Sequence, residues 1–194
     1  MKIVIYIIYI ILITNLNASA TDEQRKLFEE NCNDGKSISC YNMGLMYEHG
    51  DGVDKDNEKA LSFYIKACDK NYFTSCSKAA VLYEEGQGIK KDMKEAFKLY
   101  TKACGGEDGF GCHNLAVYYS KKETQAMKNI SLGLYDKACD NGYAPSCIYL
   151  GRMYRDSKSL THDYQMAKEK FNLACEANNY LGCKELRILE ESGY

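Results

Sequence analysis

Residues 60–83 read ALSFYIKACDKNYFTSCSKAAVLY, and this stretch decides the fold. It holds Cys68 and Cys76, with seven residues between them. Upstream of the first cysteine, Ala60, Tyr64 and Ala67 fall at offsets of 0, 4 and 7. From the second, Cys76, Ala79, Ala80 and Tyr83 fall at 0, 3, 4 and 7. Both series mark one face of an α-helix. The spacing predicts a helix A that ends at the first cysteine, a short turn, and a helix B that begins at the second.

The same unit recurs on both sides. Cys32/Cys40, Cys104/Cys112, Cys139/Cys147 and Cys175/Cys183 repeat the C-x7-C spacing, and successive first cysteines lie 36, 36, 35 and 36 residues apart. A fixed period of this length signals a repeat architecture. In register the repeats run 21–56, 57–92, 93–127, 128–163 and 164–194, which occupies all of 21–194. Four residues before each first cysteine stands an aromatic: Phe28, Tyr64, Tyr100, Tyr135 and Phe171. Four residues after the second stands a small residue in four repeats: Gly44, Ala80, Ala116 and Gly151. Small residues let helices approach while rings fill the gaps between repeats. One such hairpin cannot bury its apolar face alone, but stacked hairpins share a core. Gly50-Asp51-Gly52 and Gly86-Gln87-Gly88 follow helix B, where the chain must stop and turn back. The expected fold is all-α, an α/α solenoid of five helix-turn-helix repeats.

Residues 1–20 read as a secretory signal peptide. Lys2 is the positive n-region, Ile3 to Ile13 is apolar apart from two tyrosines, and Ala18-Ser19-Ala20 fits a signal-peptidase site. An eleven-residue run is short of the roughly 20 residues that span a bilayer. Cleavage after Ala20 predicts a periplasmic or secreted protein with no membrane span. The net charge of −2 argues against an electrostatic nucleic-acid binder.

Export bears on the ten cysteines. Zinc knuckles use shorter C-x2–4-C spacings, and the chain has only His49, His113 and His162 to add. Haem attachment needs C-x-x-C-H, and Gly109 stands where the first cysteine would be before Cys112-His113. Disulfides fit an oxidising compartment best, and the repeat assigns each C-x7-C its own bridge. Closing such a loop is worth about 2.5 kcal/mol in the chain-entropy model. No metal site and no cofactor are expected.

The run from Ser39 to Asp56, SCYNMGLMYEHGDGVDKD, resembles a Sel1-like repeat, a relative of the tetratricopeptide helix pair. Tyr64-Ile-Lys-Ala-Cys68, Tyr100-Thr-Lys-Ala-Cys104 and Tyr135-Asp-Lys-Ala-Cys139 supply its other half. With a cysteine pair per repeat, the chain is similar over 21–194 to the Helicobacter cysteine-rich protein family. That resemblance implies a secreted Sel1-like protein of a group commonly classed as β-lactamases, which binds penicillins or muramic-acid-type cell-wall fragments. The third repeat departs from the pattern: it has Lys121-Lys122-Glu123 in place of Gly-x-Gly and is one residue short, which predicts a bend or loosening before the fourth.

The residues do not supply the chemistry that the resemblance implies. A serine β-lactamase needs Ser-x-x-Lys with Ser-Asp-Asn and Lys-Thr-Gly elements. Ser75-Cys-Ser-Lys78 matches the first, but with 12 Ser and 21 Lys about one match arises by chance, and the other two elements are absent. The catalytic residues are therefore unknown. Lys66, Lys102 and Lys137 recur at one helix-A position and are the candidate ligand-facing residues, although a lysine there also complements the negative end of a helix. Two functions are expected. One is binding, with slow hydrolysis at most, of β-lactams or peptidoglycan fragments. The other is a non-catalytic scaffold gripping a peptide or protein on a concave face lined by helix A.

Overall fold

The computed structural model describes residues 22–122, 124–156 and 163–193. The proposed signal peptide, Glu123 and His162 lie outside them. Among the described residues there are ten α-helices and no strand: α1 (22–33), α2 (Ser37–His49), α3 (Asn57–Asp69), α4 (Phe73–Glu85), α5 (Met93–Gly105), α6 (Gly109–Ser120), α7 (Gln125–Asp140), α8 (Ala144–Asp156), α9 (Tyr164–Glu176) and α10 (Tyr180–Glu191). Odd-numbered helices are helix A of each repeat and even-numbered ones helix B, so the fold is the expected all-α, solenoid-type succession of helix pairs. None of these helices is long and apolar enough to cross a membrane. Two compact units divide at Met93/Lys94.

Each A–B turn is built the same way. The third residue after the first cysteine has a positive φ in all five repeats: Gly35 (90°), Asn71 (62°), Glu107 (65°), Gly142 (79°) and Asn178 (58°). The next amide then bonds back to the residue before that cysteine, as Tyr72 N does to Ala67 O at 3.0 Å and Tyr143 N to Ala138 O at 2.9 Å. This reversal closes the helix end and brings the cysteines together. Cys32–Cys40, Cys68–Cys76, Cys104–Cys112, Cys139–Cys147 and Cys175–Cys183 are all bridged, with Cα–Cα distances of 4.5 to 4.8 Å.

The B–A loops follow from capping. Helices α2 and α4 stop at left-handed Gly50 and Gly86, whose φ values are 80° and 70°. Asp56 N, Asp92 N and Asp163 N then bond to the carbonyls of Tyr47, Tyr83 and Tyr154. The Asp56 and Asp163 carboxylates cap the next helix by accepting from Lys59 N at 3.0 Å and Met166 N at 2.9 Å. In the third repeat Thr124 takes that role from α7, which has 16 residues against 13 in α3, α5 and α9. Among the described residues the third and fourth repeats are packed together rather than loosened. Ala116 and Tyr135 belong to one core cluster, and Ser131 Oγ donates to Ala116 O at 2.9 Å.

In the first unit, α3 packs against α2 and α4. Tyr64 is fully buried, and Gly44 on α2 faces its ring so closely that a Cβ there would lie 2.4 Å from Cε1. The Tyr64 hydroxyl donates to Glu48 on α2, and Lys78 on α4 pairs with the same carboxylate at 3.3 Å.

In the second unit, Phe171 on α9 is equally buried against Gly151 on α8, where a Cβ would lie 2.5 Å from Cε1. The register positions of Glu48 and Lys78 are held there by Arg155 and Glu185. Their charges are reversed, and Arg155 lies 5.6 Å over the Phe171 ring. Between α6 and α8 the same positions carry Ser120 and Tyr149 around Tyr135, with no charge. On α10 the small-residue position is held by exposed Arg187.

Candidate functional site

Ser75 stands on the first turn of α4, directly before Cys76, and is fully buried. Among the described residues its Oγ has no hydrogen-bond partner, and none of them is a base holding it. Lys78, one turn on, is turned to Glu48 on α2, with Nζ 3.3 Å from both carboxylate oxygens. The pair is therefore not an activated nucleophile: the serine is sealed from solvent and the ammonium is engaged elsewhere.

Lys66, Lys102 and Lys137 each occupy the last turn of a helix A, namely α3, α5 and α7. Lys66 and Lys137 are exposed and Lys102 is half-buried. Lys66 Nζ lies 5.0 Å over the Phe63 ring. The placement suits the helix dipole in all three. A buried cation that the periodicity did not mark, Lys170, replaces the apolar residue found at that position in the other repeats (Leu27, Phe63, Leu99 and Leu134). It pairs with Asp136 on α7 at 2.6 Å and so pins α9 to α7. No group of three or more potential metal ligands converges among the described residues.

A different place in the second unit has the shape of a binding site. His113 on α6, Pro145, Ile148, Tyr149 and Arg152 on α8, and Asn179 and Leu181 at the start of α10 line a groove of about 390 Å³. That volume lies within the ordinary range for small-ligand pockets. Two of its lining rings, His113 and Tyr149, belong to a continuous series of ring contacts. Phe110 meets Tyr143 at 5.6 Å, Tyr143 meets His113 at 5.0 Å, His113 meets Tyr135 at 5.4 Å and Tyr135 meets Tyr149 at 4.3 Å.

His113 is fixed by its Nδ1, 2.8 Å from Ser146 Oγ. Burial holds its imidazole below the usual histidine range, so it is neutral at pH 7. Ser146 is fully buried, so this histidine–serine pair orients the ring and offers no reachable nucleophile. Asn179 uses its side-chain oxygen to cap α10, accepting from Leu181 N at 3.0 Å. Arg152 is held by Glu185, to which Nε donates at 2.9 Å and Nη2 donates as well. Arg155 binds the other Glu185 oxygen. Burial alone would push the Glu185 carboxyl up, but the hydrogen bonds from Arg152 and Arg155 outweigh it and hold the group below the usual carboxylate range. Arg152 keeps 45% of its side chain exposed, against 10% for Glu185.

Comparison with known proteins agrees with the repeat. The Sel1 repeat pattern matches residues 37–72, 74–107, 110–143 and 144–179. A Sel1 repeat protein from Oxalobacter formigenes superposes with a TM-score of 0.73 at 20% identity, covering 85% of this chain and 48% of its own. The protective antigen c5321 of uropathogenic Escherichia coli does so with a TM-score of 0.69 at 24% identity, covering 88% of this chain and 37% of its own. This chain thus spans less than half the length of either. Helicobacter pylori cysteine rich protein B is 28% identical, with a TM-score of 0.51, over 70% of this chain and 98% of its own. No curated protein sequence matches the chain.

Proposed function

The chain belongs to the Sel1 repeat family, and from that premise we propose that it is an exported, non-catalytic scaffold that binds a peptide or protein. Sel1 repeats commonly mediate protein interactions. The observation that carries the reading is the state of Ser75 and Lys78: the one Ser-x-x-Lys of the chain is buried and its lysine is tied to Glu48. Five bridged cysteine pairs support export through residues 1–20 to a periplasmic or secreted location, because such bridges persist in oxidising compartments.

A second reading is binding of β-lactams or cell-wall fragments with slow hydrolysis. Its support is the likeness to the Helicobacter pylori protein and the cysteine-rich resemblance. One experiment separates the two. Oxidised protein, wild type and Ser75→Ala, is incubated with penicillin, turnover is followed, and intact mass is read for an acyl adduct. Ser75→Ala removes a buried hydroxyl without a partner and keeps the fold. The scaffold reading expects no adduct and no turnover by either protein, whereas turnover by both would establish hydrolysis that does not use Ser75. An adduct and turnover that both vanish in the folded variant would establish the hydrolase. N-terminal sequencing of exported protein tests the leader, with Thr21 as the expected first residue.

A further inference from the structure

We propose that the groove between α6, α8 and α10 binds the carboxy-terminal residue of a peptide, with its apolar side chain against Pro145, Ile148 and Leu181 and its carboxylate on Arg152. This rests on the scaffold reading, names the ligand chemistry of one site, and places that site on helices B rather than on the helix-A face expected from sequence.

Charge comes first. Among the described residues no carboxylate lines the groove, and Arg152 is its one lining cation. The counter-ion Glu185 lies beneath, 10% exposed, whereas Arg152 is 45% exposed, so solvent at the rim meets the guanidinium rather than the carboxylate. Glu185 engages Nε and Nη2. It therefore holds the planar fork rigid and leaves the Nη1 hydrogens to a ligand, and a donor fixed in advance loses little entropy on binding an anion.

Spacing then selects the ligand. Ile148 and Arg152 are four residues apart on α8, one helical turn, about 6 Å along the axis. A ligand that meets both carries an apolar group and a carboxylate about 6 Å apart, a pairing that one residue can supply. A chain-terminal amino acid does so. An internal Asp or Glu does not, because its carboxylate is its side chain. Leu181 (38% exposed) and Tyr149 (40% exposed) leave apolar surface in water that such a side chain would cover. His113 and Asn179 add neutral polar groups at the same groove for the peptide backbone.

The test uses the oxidised full chain and three probes. These are acetyl-Gly-Ala-Ala-Leu with a free carboxylate, the same peptide as its C-terminal amide, and acetyl-Gly-Ala-Ala-Asp amide. Calorimetry should show saturable binding of the free acid, about tenfold or more tighter than either amide. Arg152→Gln should bring the acid down to the level of its amide. Leu181→Ser should weaken acid and amide together and preserve their ratio, a response that loss of fold would not give. Equal affinity for acid and amide overturns the proposal, as does stronger binding of the Asp amide. If peptides bind but Lys66→Gln or Lys137→Gln abolishes binding and Arg152→Gln does not, the groove assignment falls and the scaffold reading stands. If no probe binds, this proposal is refuted while the penicillin experiment still decides the broader reading.

Discussion

Adding one methyl group at Gly44 tests the packing rule of the repeat. In Gly44→Ala the new carbon would sit 2.4 Å from Tyr64 Cε1 and 2.5 Å from Cδ1. Carbon atoms in contact rest at about 3.5–4.0 Å, so the ring or the helix must withdraw by about 1 Å. The ring has nowhere to go: Tyr64 is fully buried, and its hydroxyl is tied to Glu48. Overpacking of this kind costs about 1–3 kcal/mol, and alanine returns about 1 kcal/mol through helix propensity. The net loss is up to about 2 kcal/mol, a fall in Tm of up to roughly 8 °C for a chain of this size. Gly133 in α7 is the control, because a Cβ there meets nothing within 4 Å. Gly133→Ala should therefore raise stability by up to about 1 kcal/mol. Thermal unfolding followed by circular dichroism, with the bridges oxidised, reads both variants. If Gly44→Ala melts at or above wild type, or if the two variants shift in the same direction, the close-approach argument is wrong.

Glu107 holds a left-handed turn position that glycine or asparagine fills in the other repeats; Glu107→Gly should stabilise by about 0.5–1 kcal/mol in urea titration. Glu185→Gln leaves Arg152 and Arg155 without their shared anion, and the same assay should show a loss of about 1–3 kcal/mol, between the exposed and buried limits for ion pairs. His113 is depressed by burial, so below its ordinary value of 6.5 the unfolded chain takes up a proton first and stability falls as pH drops through that value. His113→Gln should flatten the slope of unfolding free energy between pH 7 and pH 5. Replacing Cys139 and Cys147 with Ala should lower the Tm more than replacing Cys175 and Cys183, since α7 and α8 touch both α6 and α9 whereas α10 ends the second unit. Equal shifts would count against coupling between neighbouring repeats.

The helix pairs and bridges were legible in the sequence because the same side-chain chemistry recurs in one register. Cysteine, aromatic and small residues repeat, and each maps onto a buried contact such as Tyr64 on Gly44. The A–B turn was not legible, although it is equally regular. Its shared requirement is a backbone angle, and Gly35, Asn71, Glu107, Gly142 and Asn178 meet it with unlike side chains. The groove was missed for the opposite reason. His113, Arg152 and Leu181 come from three repeats and are peculiar to them, and a search for recurrence overlooks what occurs once. His113 is no departure from a recurrent type either, because Tyr41, Ser77, Ile148 and Lys184 stand at its position elsewhere. The Ser75–Lys78 match shows how register corrects a motif. Ser39, Ser75 and Ser146 all precede a second cysteine, and all three are buried.

The reversed ion pairs also limit how such a chain can evolve. Tandem repeats of nearly equal length invite unequal recombination, which adds, deletes or shuffles whole blocks while keeping helices, bridges and ring-to-glycine contacts intact. Charge would register the error. Joining the first helix B to the last repeat would set Glu48 against Glu185, and joining the fourth helix B to the second repeat would set Arg155 against Lys78, where the native order pairs Glu48 with Lys78 and Arg155 with Glu185. Blocks alike in backbone are thus not interchangeable parts, and their order is inherited through two junctions of opposite polarity.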